Sequence, residues 1–137
     1  MAYQYTITEC GYYLRVEVKG SRELTDVTHE SLTMWERVAS LCKAKDFNLI
    51  LAVFHLSGTR SLMDTFNIVE GVQDWLWSEL AIAYVDKDPV NQKENIIAEQ
   101  SAMMHGINFR TFLSEEDGTH WLKAMHSSQR HGTKKPR

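Results

Sequence analysis

The sequence predicts one α/β domain. A hairpin opens a mixed β-sheet, parallel strands continue it, and about four helices flank it, in the order β-β-α-β-α-β-α-β-α. Three observations carry this expectation. Residues 3–9 and 12–19 alternate apolar with polar side chains, the period of strands with one wet face. Residues 47–54 (FNLILAVF) and 80–85 (LAIAYV) are almost continuously apolar, as strands covered on both faces are. Segments of helical period alternate with these runs, and a strand–helix–strand succession builds parallel pairs through right-handed crossovers.

The first strand, Tyr3 to Glu9, ends at a Cys10-Gly11 turn. The second places Tyr12, Leu14, Val16 and Val18 opposite Tyr13, Arg15, Glu17 and Lys19, and Gly20 closes it. A helix is expected from Leu24 to Ala44. Thr25 serves as its N-cap, Asp26 and Glu30 sit at the positive end of its dipole, and Lys43 and Lys45 at the other. Its inward stripe is Leu24, Val27, Met34, Trp35, Val38, Leu41 and Cys42. Residues 55–60 read as a polar loop, followed by a helix from Leu62 to Gln73 with Met63, Phe66, Val69 and Val72 inside. Asp86-Lys87-Asp88-Pro89 is a turn. A weaker helix over 92–105 turns Ile96, Ile97, Met103 and Met104 inward, and a strand runs from Asn108 to Leu113. Ser114 and Asp117 then form an approximate capping box for a last helix with the stripe Trp121, Leu122 and Met125. Residues 1–126 are therefore expected to be the domain, and residues 127–137, without an apolar side chain, a flexible basic tail.

Charge narrows the function classes. Of 15 basic residues, four (Arg130, Lys134, Lys135, Arg137) fall in the tail, leaving 11 basic against 18 acidic residues in the body, a net −7. Clustered phosphate binding needs the reverse balance, so no nucleic-acid partner is expected. The first ten residues hold no apolar stretch of signal-peptide length, and no run has the 18 or so apolar residues of a membrane span. Two cysteines, Cys10 and Cys42, lack CxxC spacing. Together these point to a cytoplasmic, bacterial-type protein with reduced thiols.

The opening hairpin closed by Gly20, the long helix, FNLILAVF with its polar loop, LAIAYV with its acidic turn and the closing NFRTFLSEEDGTHWLKAM resemble the SpoIIAA-like group, small proteins of the wider STAS and CRAL-TRIO-like α/β architecture. The resemblance spans roughly residues 3–126. It implies a non-enzymatic regulatory or protein-interaction domain, with a protein partner or a homodimer to be expected. The CRAL-TRIO side of it implies the alternative, a domain holding a small apolar ligand or lipid. The anti-sigma-factor antagonists that name the group carry a phosphorylatable serine at a helix start, in a phrase like MDSSG. Here Met63-Asp64-Thr65 is similar, Phe66 and Asn67 replace the next two residues, and Thr65 is the nearest hydroxyl.

The residues themselves offer one candidate binding loop: Ser57, Gly58, Thr59, Arg60 and Ser61, running into Asp64 and Thr65. Free N–H groups at a helix start, with the Arg60 fork beside them, suit an anion or a partner surface. The competing reading is structural: Ser61 caps the helix and Asp64 returns the bond. Trp75 and Trp77, two apart, are candidates for an interface or groove. The six histidines (His29, His55, His105, His120, His126, His131) show neither HxH nor HExxH spacing, so no metal is expected. Cys10, Cys42 and Ser57 lack a GxSxG elbow, no GxxxxGK loop is present, and neither catalysis nor a cofactor is expected.

Overall fold

Five strands form one sheet, ordered in space as they are in sequence. A computed structural model describes residues 3–22, 26–58, 61–75 and 79–134. Strand β1 (Gln4–Cys10) pairs antiparallel with β2 (Tyr13–Ser21), Cys10 facing Tyr13 across the turn. From β2 onward β3 (Leu49–Ser57), β4 (Ala81–Asp86) and β5 (Asn108–Phe112) run parallel. Helix α1 (Val27–Lys45) links β2 to β3, α2 (Leu62–Val72) links β3 to β4, and a 3-10 turn (Pro89–Asn91) with α3 (Gln92–Met104) links β4 to β5. Crossovers of one hand that step in one direction must deliver every helix to the same face of the sheet. That is the arrangement here: α1, α2 and α3 pack on one face with Leu14, Val16, Val18, Ile50, Ala52 and Ile82. Helix α4 (Glu115–Lys134) returns alone across the other, setting Leu122 against Leu49, Leu51, Val53, Ala81, Ala83 and Val85. Covered on both sides, Leu49–Phe54 and the whole of β4 are buried, which is why their sequences are continuously apolar.

The expected order of elements and the mixed sheet hold. Five details differ. Strand β3 continues through His55, Leu56 and Ser57, which pair with Lys19, Gly20 and Ser21. Past Phe54 the strand leaves the cover of α4, so the pattern reverts to alternation, Leu56 turned inward and His55 outward to the Glu17 carboxylate at 2.9 Å. Helix α1 starts at Val27 with Asp26 as N-cap, its carboxylate accepting the His29 N–H at 3.1 Å; the expected cap Thr25 and Leu24 lie outside the described residues.

In α2 the inward residues are Thr65, Val69 and Val72, while Met63 and Phe66 are exposed. A stripe at steps of three winds around a helix: Met63 and Val72 are nine residues apart, about two and a half turns, and so face opposite ways. In α3 the sheet side is Asn95, Ala98 and Ala102, and Met103 and Met104 point to solvent. Small side chains bring that helix close to the sheet, so residue size misled the assignment of its inner face. The last helix begins at Glu115, with Ser114 Oγ accepting the Asp117 N–H at 3.1 Å, and its backbone runs on to Lys134, beyond the Ser127 boundary read from the sequence. Among the described residues no helix is long and apolar enough to cross a membrane.

Candidate functional site

The three-helix face does not close completely. Between α2 and the sheet, with α1 and α3 as side walls, lies a cavity of about 60 Å³ in which the centres of water molecules fit. At roughly 10–15 Å³ per water this is room for four or so waters, or for one ring or short alkyl chain. The rule that open α/β sheets bind ligands where crossovers switch faces does not apply, because these three crossovers all go to one face. The opening arises instead from the size of the side chains beneath α2. Trp35, Phe54, Tyr84 and Phe109 form a row across α1, β3, β4 and β5, with ring centroids 6.3, 4.4 and 5.2 Å apart. These stiff, bulky groups hold the helix off the strands, and α2 meets them with Ile68, Val69 and Val72. At its far end α2 presses on α1, where a Cβ on Gly71 would come within 2.5 Å of Leu32 Cδ2.

The lining is polar at one end only. Arg22, which directly follows β2, Ser31 in α1 and Thr65 in the first turn of α2 come from the edge where the parallel strands end. Val72, Ala102, Ile107 and Phe109 come from the opposite edge. Arg22 is 5% exposed. Its Nη1 donates to the Gly58 carbonyl at 3.1 Å, its Nη2 reaches the Tyr84 hydroxyl at 3.4 Å, and its backbone N–H donates to the Ser57 carbonyl at 2.9 Å. Gly58 has φ 79°, a left-handed turn that aims its carbonyl back at the guanidinium. Among the described residues no carboxylate pairs with Arg22. The buried Asp86 is taken up by Asn91 Nδ2, Asn95 Nδ2 and the Asp88 N–H.

The loop singled out in the sequence borders this cavity but is mostly occupied by structural bonds. Ser57 ends β3, and Gly58 holds Arg22. Ser61 is the N-cap of α2: its Oγ accepts the Asp64 N–H and donates to Asp64 Oδ2, both at 3.0 Å, so the capping reading holds. The other oxygen of Asp64 accepts the Thr28 hydroxyl at 2.8 Å and ties the starts of α1 and α2 together. Thr65 is 1% exposed and donates to the Ser61 carbonyl at 3.2 Å. Thr59 and Arg60 lie outside the described residues, as does Trp77. Trp75 packs half-buried against the core and does not line the cavity; the tryptophan that does is Trp35.

Sequence reading missed Arg22, Ser31, Trp35, Phe54, Tyr84 and Phe109 as one site. The signal for part of it was present, since Phe54 and Tyr84 are the bulky aromatics within otherwise aliphatic buried strands, and neighbouring strands bring them together. Nothing in the sequence marks Arg22.

A second polar group lies on the opposite face, between the hairpin and the start of α4. Arg15 grips Glu115 with two bonds, Nε to Oε1 at 2.9 Å and Nη2 to Oε2 at 3.1 Å, and reaches Glu17 at 3.4 Å. The Arg15 bond holds the Glu115 carboxyl below its ordinary range. His55 does the same for Glu17, with help from Arg15. Among the described residues no three His, Cys, Asp or Glu side chains cluster as metal ligands would. No family model matches the chain, and no curated protein matches it.

Proposed function

We propose that the protein is a non-enzymatic binding domain that holds a small apolar molecule beneath α2. The observation that carries this reading is the cavity itself: a partly open space lined by four aromatic rings and by the aliphatic side chains of α2. Natural cores close-pack, so an apolar hollow of this size between helix and sheet is a specific feature of the fold. Its polar residues Arg22, Ser31 and Thr65 gather at one end, an arrangement that suits orienting a ligand. Ligand pockets have this character, mostly apolar with a few placed polar groups. The CRAL-TRIO side of the resemblance agrees with it. Thermal unfolding with added 1-octanol tests the reading. Saturable stabilisation is expected, about 2.7 kcal/mol at a hundredfold excess over Kd. No shift at any concentration removes the proposal.

One observation favours a second reading, the regulatory or interaction domain of SpoIIAA-like type. Leu62, Met63 and Phe66 leave an apolar surface on the outer side of α2, directly over the cavity. Such a surface suits a protein partner or a second copy of the chain. Sedimentation of the protein and of Met63→Asp tests the dimer: a wild-type dimer that the substitution dissociates supports it, and two monomers refute it.

A further inference from the structure

We propose that the cavity's ligand is a small monocarboxylate, its anionic head at Arg22 and its apolar body running under α2 toward Ala102 and Ile107. This rests on the binding reading above and specifies the chemical class of its ligand.

The first ground is the state of Arg22. A guanidinium has five N–H donors. Here two of its nitrogens meet neutral acceptors, one of them only at 3.4 Å, and the side chain is almost wholly buried. Buried charges are ordinarily paired, because a neutral acceptor offsets little of the desolvation that burial imposes. The buried Asp86 is engaged by two asparagine amides and a backbone N–H, and no ion pair joins it to Arg22. The charge therefore faces the cavity without a counter-charge among the described residues.

The second ground is the division of the lining. Arg22, Ser31 and Thr65 stand where the parallel strands end, and the wall from Val72 to Ile107 is hydrocarbon. That gradient matches an amphiphile in one orientation. One guanidinium balances one negative charge, which favours a carboxylate over a phosphate dianion, and its planar fork fits the two carboxylate oxygens. The cavity's size limits the body to a ring or a chain of roughly six to eight carbons.

Octanoate and 1-octanol, equal in chain and different in head, make the test. Each is titrated into the full chain at pH 7 and followed by heteronuclear NMR, including the Arg22 Nε–H resonance. Octanoate is expected to bind about tenfold or more tightly than 1-octanol and to move the Arg22 resonance, the effect of a charge-assisted bond pair. Arg22→Met is expected to bring the two affinities within about twofold of each other. Should Arg22→Met not fold, the wild-type affinity ratio and the Arg22 resonance decide the matter alone. If 1-octanol binds as tightly as octanoate, the carboxylate inference falls and the apolar-binding reading stands. A preference for octanoate that survives Arg22→Met, or leaves the Arg22 resonance unmoved, also overturns the inference. If neither compound binds, both fall.

Discussion

Replacing Ala102 by leucine asks whether the domain is hollow, and the sign of the answer is diagnostic. Ala102 is 3% exposed and lines the cavity. Leucine adds three carbons, worth about 2.4 kcal/mol at about 0.8 kcal/mol per buried carbon. The rotamer freedom leucine loses on burial costs roughly 0.5–1 kcal/mol, and its helix propensity is nearly that of alanine. With about 60 Å³ open to water centres beside the helix, the extra atoms enter existing space. Ala102→Leu is therefore expected to stabilise the protein by about 1.5 kcal/mol. In a close-packed core the same change costs about 1–3 kcal/mol in strain. The two cases differ by about 3 kcal/mol, well outside the error of urea unfolding followed by circular dichroism. For a urea m-value near 2 kcal/mol/M, the unfolding midpoint should rise by roughly 0.8 M. The leucine should also abolish the thermal shift caused by 1-octanol, since it occupies the ligand's volume. A midpoint that falls would refute the reasoning, for it would mean that α3 and the aromatic row already touch.

Three further predictions concern the frame around the site. Ser61→Ala removes the cap of α2 and should lower stability by about 1 kcal/mol in urea unfolding, with Ser61→Asp recovering most of it; no effect would mean that α2 starts elsewhere. Glu115→Gln unties α4 from β2 and should cost about 1 kcal/mol at neutral pH, as a two-bond pair at a partly exposed site does. Because the folded Glu115 carboxyl titrates below its ordinary value of 4.5, its contribution is complete above that value and lost as pH falls through the folded one, so the stability curves of variant and wild type should converge in acid. Burial pushes the Cys42 thiol up to about 12, so a thiol-reactive disulfide at pH 8 should titrate one cysteine, Cys10, in the native protein and two in urea; rapid native reaction of both would contradict the burial of α1.

Much of the frame is legible in the chain because it depends on local periods. Leu49–Phe54 and Ala81–Val85 announce two-sided burial by having no polar residue, and Arg15, Glu17 and Lys19 announce the wet face of the hairpin by alternation. Ser61 with Asp64 and Ser114 with Asp117 mark helix starts through bonds that span three residues. The candidate site is not legible in this way. Its lining comes from seven segments of the chain, and what makes it a site is the thickness of four aromatic rings beneath α2, a property of strand order and register that no single segment holds. The inner faces of α2 and α3 depart from the sequence pattern for a related reason. Three-residue steps around Met63 and Phe66 drift off the buried side, and the alanines of α3 pack on the sheet where larger residues were expected. Arg22 follows β2 as any surface arginine might, and its burial depends on Gly58 and Tyr84, which are 36 and 62 residues away.

Isotope-filtered NOE spectroscopy on the protein with bound 1-octanol tests the central claim most directly, since it reports which protons lie within a few ångströms of the ligand. Cross-peaks from the alkyl chain to the Ala98, Ala102 and Ile107 methyl groups are the predicted result. Cross-peaks confined to the exposed Leu62 and Met63, with those three methyls silent, would contradict it and leave the space beneath α2 without a role in binding.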